Sequence, residues 1–397
     1  MKHLNIYKTE SFNMKTIGSY KNENFNSKSL TSYITEYIIK KKLDKPIDSE
    51  DHYKYSPKTK DDLIKVINIL SDKGETNFNC IDTSEITDMS NLFGDKSIKL
   101  NVRTSNEINI SEWNVSNVKT MEQMFFGCVN FNCNLSNWDV SNVENMSNMF
   151  YYCKKFEGEG LENWDVSNVT DMSNMFEYCK NIKSKVLKNW NVSKVKDMSY
   201  MFQHCENITG EGIENWNVSN VEDMSSMFIN CKNFNIDLSN WDLSSLKITE
   251  HMFTGCESFE GKGLDKWNVS NVEDINNMFN DCYKLNCDLS NWDVSNITNM
   301  YGVFNGCENF DCDLSKWDVS KVITTTFMFK RCKNFTGKGL ENWNVTNIKT
   351  MDFMFYDCIK FNCDLSSWDV SKVNVEDMYD MFYNCDSLKN KPTWYKK

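Results

Sequence analysis

Twelve tryptophans mark time along this chain at spacings of 25 or 26 residues, from Trp113 to Trp394. Numbering each unit from its tryptophan as position 0, apolar residues recur at +2 (Val or Leu), +5 (Val, Leu or Ile), +8 (usually Met), +12 (Phe), +15 (Cys) and +18. Polar residues fill −1, +1 and +3, and +3 is Ser or Thr in each full unit. Positions 0 and +2 alternate with polar neighbours, which is strand spacing. Positions +5, +8, +12 and +15 follow one face of a helix. The Ser or Thr at +3 stands where an N-cap belongs, and Ser141 with Glu144, Ser219 with Glu222 and Ser270 with Glu273 have capping-box spacing. The pattern therefore predicts a short strand at each tryptophan, a helix of about three turns behind it, and a return loop.

A period of 20–30 residues signals coils that each bury a face against the next. Units this short stack only in parallel, with the tryptophans as a buried ladder. A degenerate first unit, Ile81 to Phe93, matches Trp164 to Phe176 with Ile81 in the tryptophan slot. The expected fold class is α/β: a leucine-rich-repeat-like solenoid of about twelve strand–helix coils with a parallel sheet and a helical N-terminal cap. The domain reading is an N-terminal arm over 1–55, partly disordered with one helix over 29–43, a capping helix over 56–76, and the repeat solenoid over 77–394. The cap rests on the Ser56–Pro57 start signal, the apolar face Leu63, Val66, Ile67 and Leu70, and Gly74 as terminator. Return loops come in two lengths. The longer carries Gly-x-Gly, as at Gly158 and Gly160, and absorbs its extra residue at positive φ.

The unit Leu-Ser-Asn-Trp-Asp-Val-Ser-Asn-Val, followed by Met-Phe-x-x-Cys-x-x-Phe as at Phe150, Cys153 and Phe156, resembles the BspA-like leucine-rich-repeat family of microbial surface proteins. The resemblance implies a repeat solenoid with a role in adhesion or protein binding. It brings no catalytic site.

Charge and composition narrow the function. The formal net charge is −12, with 44 Lys and Arg against 56 Asp and Glu, which is a poor footprint for nucleic-acid phosphates. The basic run Lys40–Lys42 suits a helix C-terminus better than a nucleic-acid or membrane contact. No apolar run approaches the ~18 residues of a membrane span. The first residues show no secretion signal, so the expected location is cytoplasmic, with the cell surface as alternative. Sequons such as Asn114, Asn191, Asn217 and Asn344 arise from the repeat, and glycans at that spacing would collide.

Sixteen cysteines invite chemistry. Stacking of adjacent units could bring the Cys-x4-Cys pairs Cys282/Cys287 and Cys307/Cys312 together as if for zinc, with disulfides as a further alternative, but only a minority of units carry the second cysteine. Ile236 fills the second slot in another unit, so the primary reading is buried free thiols. His204 and His251 occupy non-equivalent positions, and no P-loop, dinucleotide fingerprint or nucleophile elbow is present. The candidate partner-binding residues are the +1 column: Asn114, Asp139, Asp165, Asn191, Asn217, Asp242, Asn268, Asp293, Asp318, Asn344 and Asp369. The competing reading of that column, with Asn137, Asn163 and their equivalents at −1, is a ladder of amides bonding coil to coil. The expected function is a non-enzymatic, monomeric protein-interaction scaffold without cofactor or metal. The alternative is a cell-surface adhesin exported by an unrecognised route.

Overall fold

The computed structural model describes residues 53–396, apart from 95, 96, 99–103 and 106. These belong to one structural unit, His52–Lys397. The expected N-terminal arm up to residue 52, with its helix over 29–43, lies outside the described residues.

Among the described residues one α-helix forms, α1, Lys60–Ser71. Its face Leu63, Val66, Ile67 and Leu70 is buried. The N-cap is Thr59, whose hydroxyl accepts from Asp62 N–H, and Asp61 and Asp62 complement the positive end of the helix. The expected start at Ser56–Pro57 falls three residues early. Tyr55 is still extended there, bridged in parallel to Ile81. The helix closes with Gly74 N–H on Ser71 O and Glu75 N–H on Leu70 O, with Gly74 at φ +81°. It rests on the first coil through Lys60 to Ser90 (2.8 Å) and Asn68 Nδ2 to Ser97 O (2.7 Å).

The repeat coils are built from turns. Among the described residues the expected strand at the tryptophan and helix behind it are absent, and so is the expected parallel sheet. In the coils starting at Trp113 through Trp343, positions +10 and +14 all have φ between +51° and +79°, as at Asn148 (+57°) and Tyr152 (+62°). No helix continues through a left-handed residue every fourth position. The backbone bonds agree. Met149 N–H donates to Met146 O and Cys153 N–H to Phe150 O, each closing a turn with the positive-φ residue third. Alternate amides leave the coil: Met146, Asn148, Phe150 and Tyr152 donate to Asp171, Ser173, Met175 and Glu177 of the next one. Consecutive coils meet as isolated parallel bridges at +7, in an unbroken series from Asp88↔Thr120 to Thr324↔Thr350. The leucine-rich-repeat-like α/β class is thus corrected to a stack of turn-built coils. Residues at +5, +8, +11, +12 and +15 line the core because tight turns return the chain inward every three or four residues. A helix would produce the same spacing.

Aromatic rings stack from coil to coil. Trp138 and Trp164 lie 6.2 Å apart between centroids and 2° from parallel, and stacked indoles run from Trp138 to Trp216 and again from Trp241 to Trp394, the last pair at 6.2 Å and 7°. A second column, Phe93 to Phe382, has centroids 5.4–5.8 Å apart. These are offset-stacked separations. The Gly-x-Gly loops hold Gly158 and Gly160 at φ +89° and +95°, ahead of a short 3-10 turn, Leu161–Asn163.

Candidate binding face

Most repeated polar positions are occupied by the coil itself. All eleven +1 residues are exposed, from Asn114 to Asp369. Each accepts a hydrogen bond at Oδ1 from the +3 amide two residues on, as Asp139 does from Ser141 (3.1 Å) and Asn344 from Thr346 (3.3 Å). These are Asx-turns, so the +3 serines are partners of the +1 side chains rather than helix caps. Hydrogen bonds from the serine beyond hold the carboxyls of Asp165, Asp293, Asp318 and Asp369 below the usual range. The +1 residues therefore form a regular exposed column with one oxygen each already engaged.

The coil-to-coil amide ladder exists one step over, at +4. Asn142 Nδ2 donates to Ser116 O (2.9 Å), Asn168 to Ser141 O (2.7 Å), and Asn220, Asn271, Asn296 and Asn347 repeat the bond. Where +4 is lysine, its ammonium reaches the Asn of the preceding coil, as Lys321 does to Asn296 Oδ1 (2.7 Å). The sequence reading missed this column, although Asn recurs there in the pattern. The −1 position contributes sparsely, as Asn137 Nδ2 to Ser111 O at 3.4 Å.

All sixteen cysteines are free thiols. Those at +15 are buried, and each donates to the carbonyl of the +12 phenylalanine one coil back, as Cys179 to Phe150 O (2.9 Å) and Cys332 to Phe304 O (2.9 Å). Burial pushes these thiols far up in pKa. Cys287, burdened also by neighbouring Cys312, is raised to about 12. Among the described residues no group of three or more His, Cys, Asp or Glu side chains is placed to hold a metal. His204 stacks on Tyr178 at 4.4 Å, and His251 approaches Thr254 at 3.3 Å; burial lowers the pKa of both.

Positions +9, +10, +13 and +14, on one face of the turns, vary in side chain from unit to unit. Here the chain departs from its own pattern, and aromatic residues gather in two groups. The first holds Phe126 and Tyr151 stacked at 4.5 Å, then Tyr152, Tyr178 and His204, with Lys154 4.2 Å above the Tyr152 ring. The second runs Tyr301–Phe327 (5.3 Å), Phe327–Phe353 (5.1 Å) and Phe353–Tyr379 (5.3 Å), with Tyr356 stacked on Tyr383 at 4.7 Å. Between the groups the face is polar and glycine-floored. Arg331 reaches across two coils to Asp281 (2.7 Å), passing Gly306, where a Cβ would stand 2.3 Å from Asp281 Oδ1. A comparison of units at +10 and +13 would have flagged these aromatics, since no core role repeats there.

Among the described residues no helix is long and apolar enough to cross a membrane. A sequence model of the family described as "Mycoplasma protein of unknown function, DUF285" matches residues 64–186, 153–263, 248–339 and 327–396. No curated protein matches the chain. One similar solved structure is a leucine-rich-repeat protein of Leptospira interrogans, 11% identical, with 86% of this chain and 94% of that chain covered. Its TM-score of 0.18 is too low to relate the two folds.

Proposed function

The chain belongs to this DUF285 family, and from that premise we propose that it is a non-enzymatic protein-interaction scaffold whose binding face is the +9, +10, +13 and +14 surface. One observation carries the reading. The repeated polar positions are engaged within their own turns or in holding coil to coil, whereas the +9, +10, +13 and +14 surface presents aromatic rings to solvent, with Tyr200, Tyr301, Tyr379 and Tyr383 all more than a third exposed. Aromatic residues on a rigid frame are the anchors that protein interfaces use. The BspA-like resemblance of the repeat unit adds the expectation of protein binding.

The +1 column is the second candidate face, favoured by its exposure and by carboxyls kept ionised. The turn face ranks ahead because its exposed aromatic rings offer apolar contact area, whereas each +1 side chain already has its Oδ1 engaged by a +3 amide. The test compares partner capture by the immobilised full chain and two variants. One carries Tyr301→Ser, Phe353→Ser and Tyr379→Ser; the other carries Asp293→Lys, Asp318→Lys and Asp369→Lys. Loss in the first variant alone supports the turn face. Loss in the second alone moves the interface to the +1 column. Undiminished capture by both, or none by wild type, overturns the scaffold reading on these surfaces.

A further inference from the structure

Within the turn face, the second aromatic group already holds a cation. The Lys330 ammonium lies 4.7 Å from the Phe327 centroid, 5.2 Å from Phe353 and 5.3 Å from Tyr356. Three rings from two adjacent coils thus form an open cage about one positive charge. The geometry follows from the coil. Phe327 and Phe353 occupy +10 in successive coils, and Lys330 and Tyr356 occupy +13, so the coil-to-coil step brings rings and ammonium together. The same ring surface continues into solvent. Tyr379 meets Phe353 edge-on and is 56% exposed; Tyr383 stacks on Tyr356 and is 48% exposed.

Charge agrees with the rings. Aromatic faces are negative and attract ammonium and guanidinium groups. Asp352 accepts from Tyr379 N–H (2.8 Å) and Asp357 from Asn384 Nδ2 (2.8 Å), so two carboxylates edge the same rings. The nearby Arg331 is paired with Asp281, and Lys333 with Glu308 at 2.7 Å. Lys349 and Lys360 stand on other columns, +6 and +17. The whole chain carries −12.

We propose that the Phe327–Phe353–Tyr356–Tyr379–Tyr383 surface binds a basic, extended segment of a partner protein, its lysine or arginine side chains seated on the rings as Lys330 is. This rests on the scaffold reading and names the chemistry of the partner. Nucleic-acid bases would also stack on such rings, but their phosphates meet an acidic chain.

The experiment measures fluorescence anisotropy of three labelled probes on the full chain: a peptide of alternating lysine and serine, its glutamate–serine counterpart, and oligothymidylate. The lysine peptide binds, more weakly at high salt, and the other two do not. Phe353→Ala and Tyr383→Ser each weaken it by roughly 3- to 10-fold, the loss of one cation–ring contact. Lys330→Ala strengthens it, because it removes the resident ammonium. Tryptophan fluorescence and melting curves establish that each variant keeps the stacked core. Equal binding of the glutamate peptide, preferred binding of oligothymidylate, or weakening by Lys330→Ala overturns the proposal. If the lysine peptide fails while partner capture still depends on Phe353, the scaffold stands and the basic-partner assignment falls.

Discussion

The indole N–H of Trp164 donates to the main-chain carbonyl of Leu135, 3.2 Å away and one coil back. All twelve tryptophans repeat this bond, from Trp113 on Phe78 O to Trp394 on Leu365 O. Each indole thus supplies apolar bulk to the core and ties its coil to the one before through a carbonyl that also closes a turn there, as Leu135 O does with Trp138 N–H. Neither a pure hydrocarbon nor a shorter polar side chain does both.

Trp241→Ala is therefore expected to cost about 3–5 kcal/mol, through an emptied aromatic slot and the loss of one of the two hydrogen bonds that Ile213 O accepts, the other coming from Trp216 N–H. Trp241→Phe keeps most of the bulk and loses the bond, for roughly 1–3 kcal/mol. Asn217→Ala, which removes an exposed acceptor for Ser219, costs no more than about 1 kcal/mol. Urea denaturation of the three variants checks the order. Equal losses at Trp241 and Asn217 would contradict the buried and exposed assignments.

Gly160→Ala is expected to destabilise more than Gly74→Ala. Both glycines have positive φ, +95° and +81°. A Cβ at Gly160 would stand 2.3 Å from Ser136 N of the preceding coil, whereas at Gly74 nothing lies within 4 Å. Backbone strain of about 1 kcal/mol or more applies to both, and only the first adds a clash with main chain. Thermal melts separate them, and a larger loss at Gly74 would refute the close coil contact.

The tryptophan clock made the stack legible, because an indole every 25 or 26 residues has no use in an unrepeated core. The local conformation was misread. Buried +5, +8, +12 and +15 satisfy a helical template, and the polar residues between them read as its solvent side. The contrary signal sat at +10 and +14, where Asn148, Asn174, Asn230, Asn277, Gly127, Gly255, Gly302 and Gly306 fall. Asparagine and glycine are the residues that enter the left-handed region most readily. Their four-residue spacing marks paired turns. Tyr200, Phe327 and Phe353 at equivalent sites obscure it, since nothing in an isolated tyrosine or phenylalanine announces positive φ. The +1 column was placed correctly at the surface, but its use by the +3 amides depends on an Asx-turn that a capping-box reading conceals.

Thiol reactivity should divide by position. The +15 cysteines are buried and held as neutral donors, so thiol reagents are expected to leave them unmodified in the native chain. Half-buried Cys80, Cys133, Cys287 and Cys363 react first, slowly, because burial raises these thiols too, Cys287 and Cys363 to about 12. All sixteen react once the chain is denatured. Rapid native labelling of Cys179 or Cys332, read by mass spectrometry, would contradict the packing.

The same thiols give the fold an alkaline limit. Their folded pKa values lie above the ordinary 9.0, so above that pH the unfolded chain loses protons that the folded chain keeps. Stability is complete below about pH 9 and falls as pH rises beyond it. Each such thiol contributes a slope of about 1.4 kcal/mol per pH unit until its folded pKa is reached. Melting temperature should drop steeply above pH 9 and should recover partly in a Cys179→Ala, Cys332→Ala double variant. A flat profile to pH 11 would rule the linkage out.

Tyr200 offers the sharpest test of turns against helices. It lies at φ +59°, at the third position of the turn closed by Met201 N–H on Met198 O, and its ring is 39% exposed. A residue with a Cβ pays about 1–2 kcal/mol there, which glycine avoids, and glycine's extra freedom in the unfolded chain offsets part of the gain. Tyr200→Gly is therefore expected to be neutral or slightly stabilising. Tyr200→Val places a β-branched side chain in the same region and should cost roughly 1–3 kcal/mol. A helix would reverse the order, with glycine losing about 1 kcal/mol and valine about half that. Chemical denaturation of the pair decides it: a valine variant more stable than the glycine one would restore the helix and remove the turn-built coil.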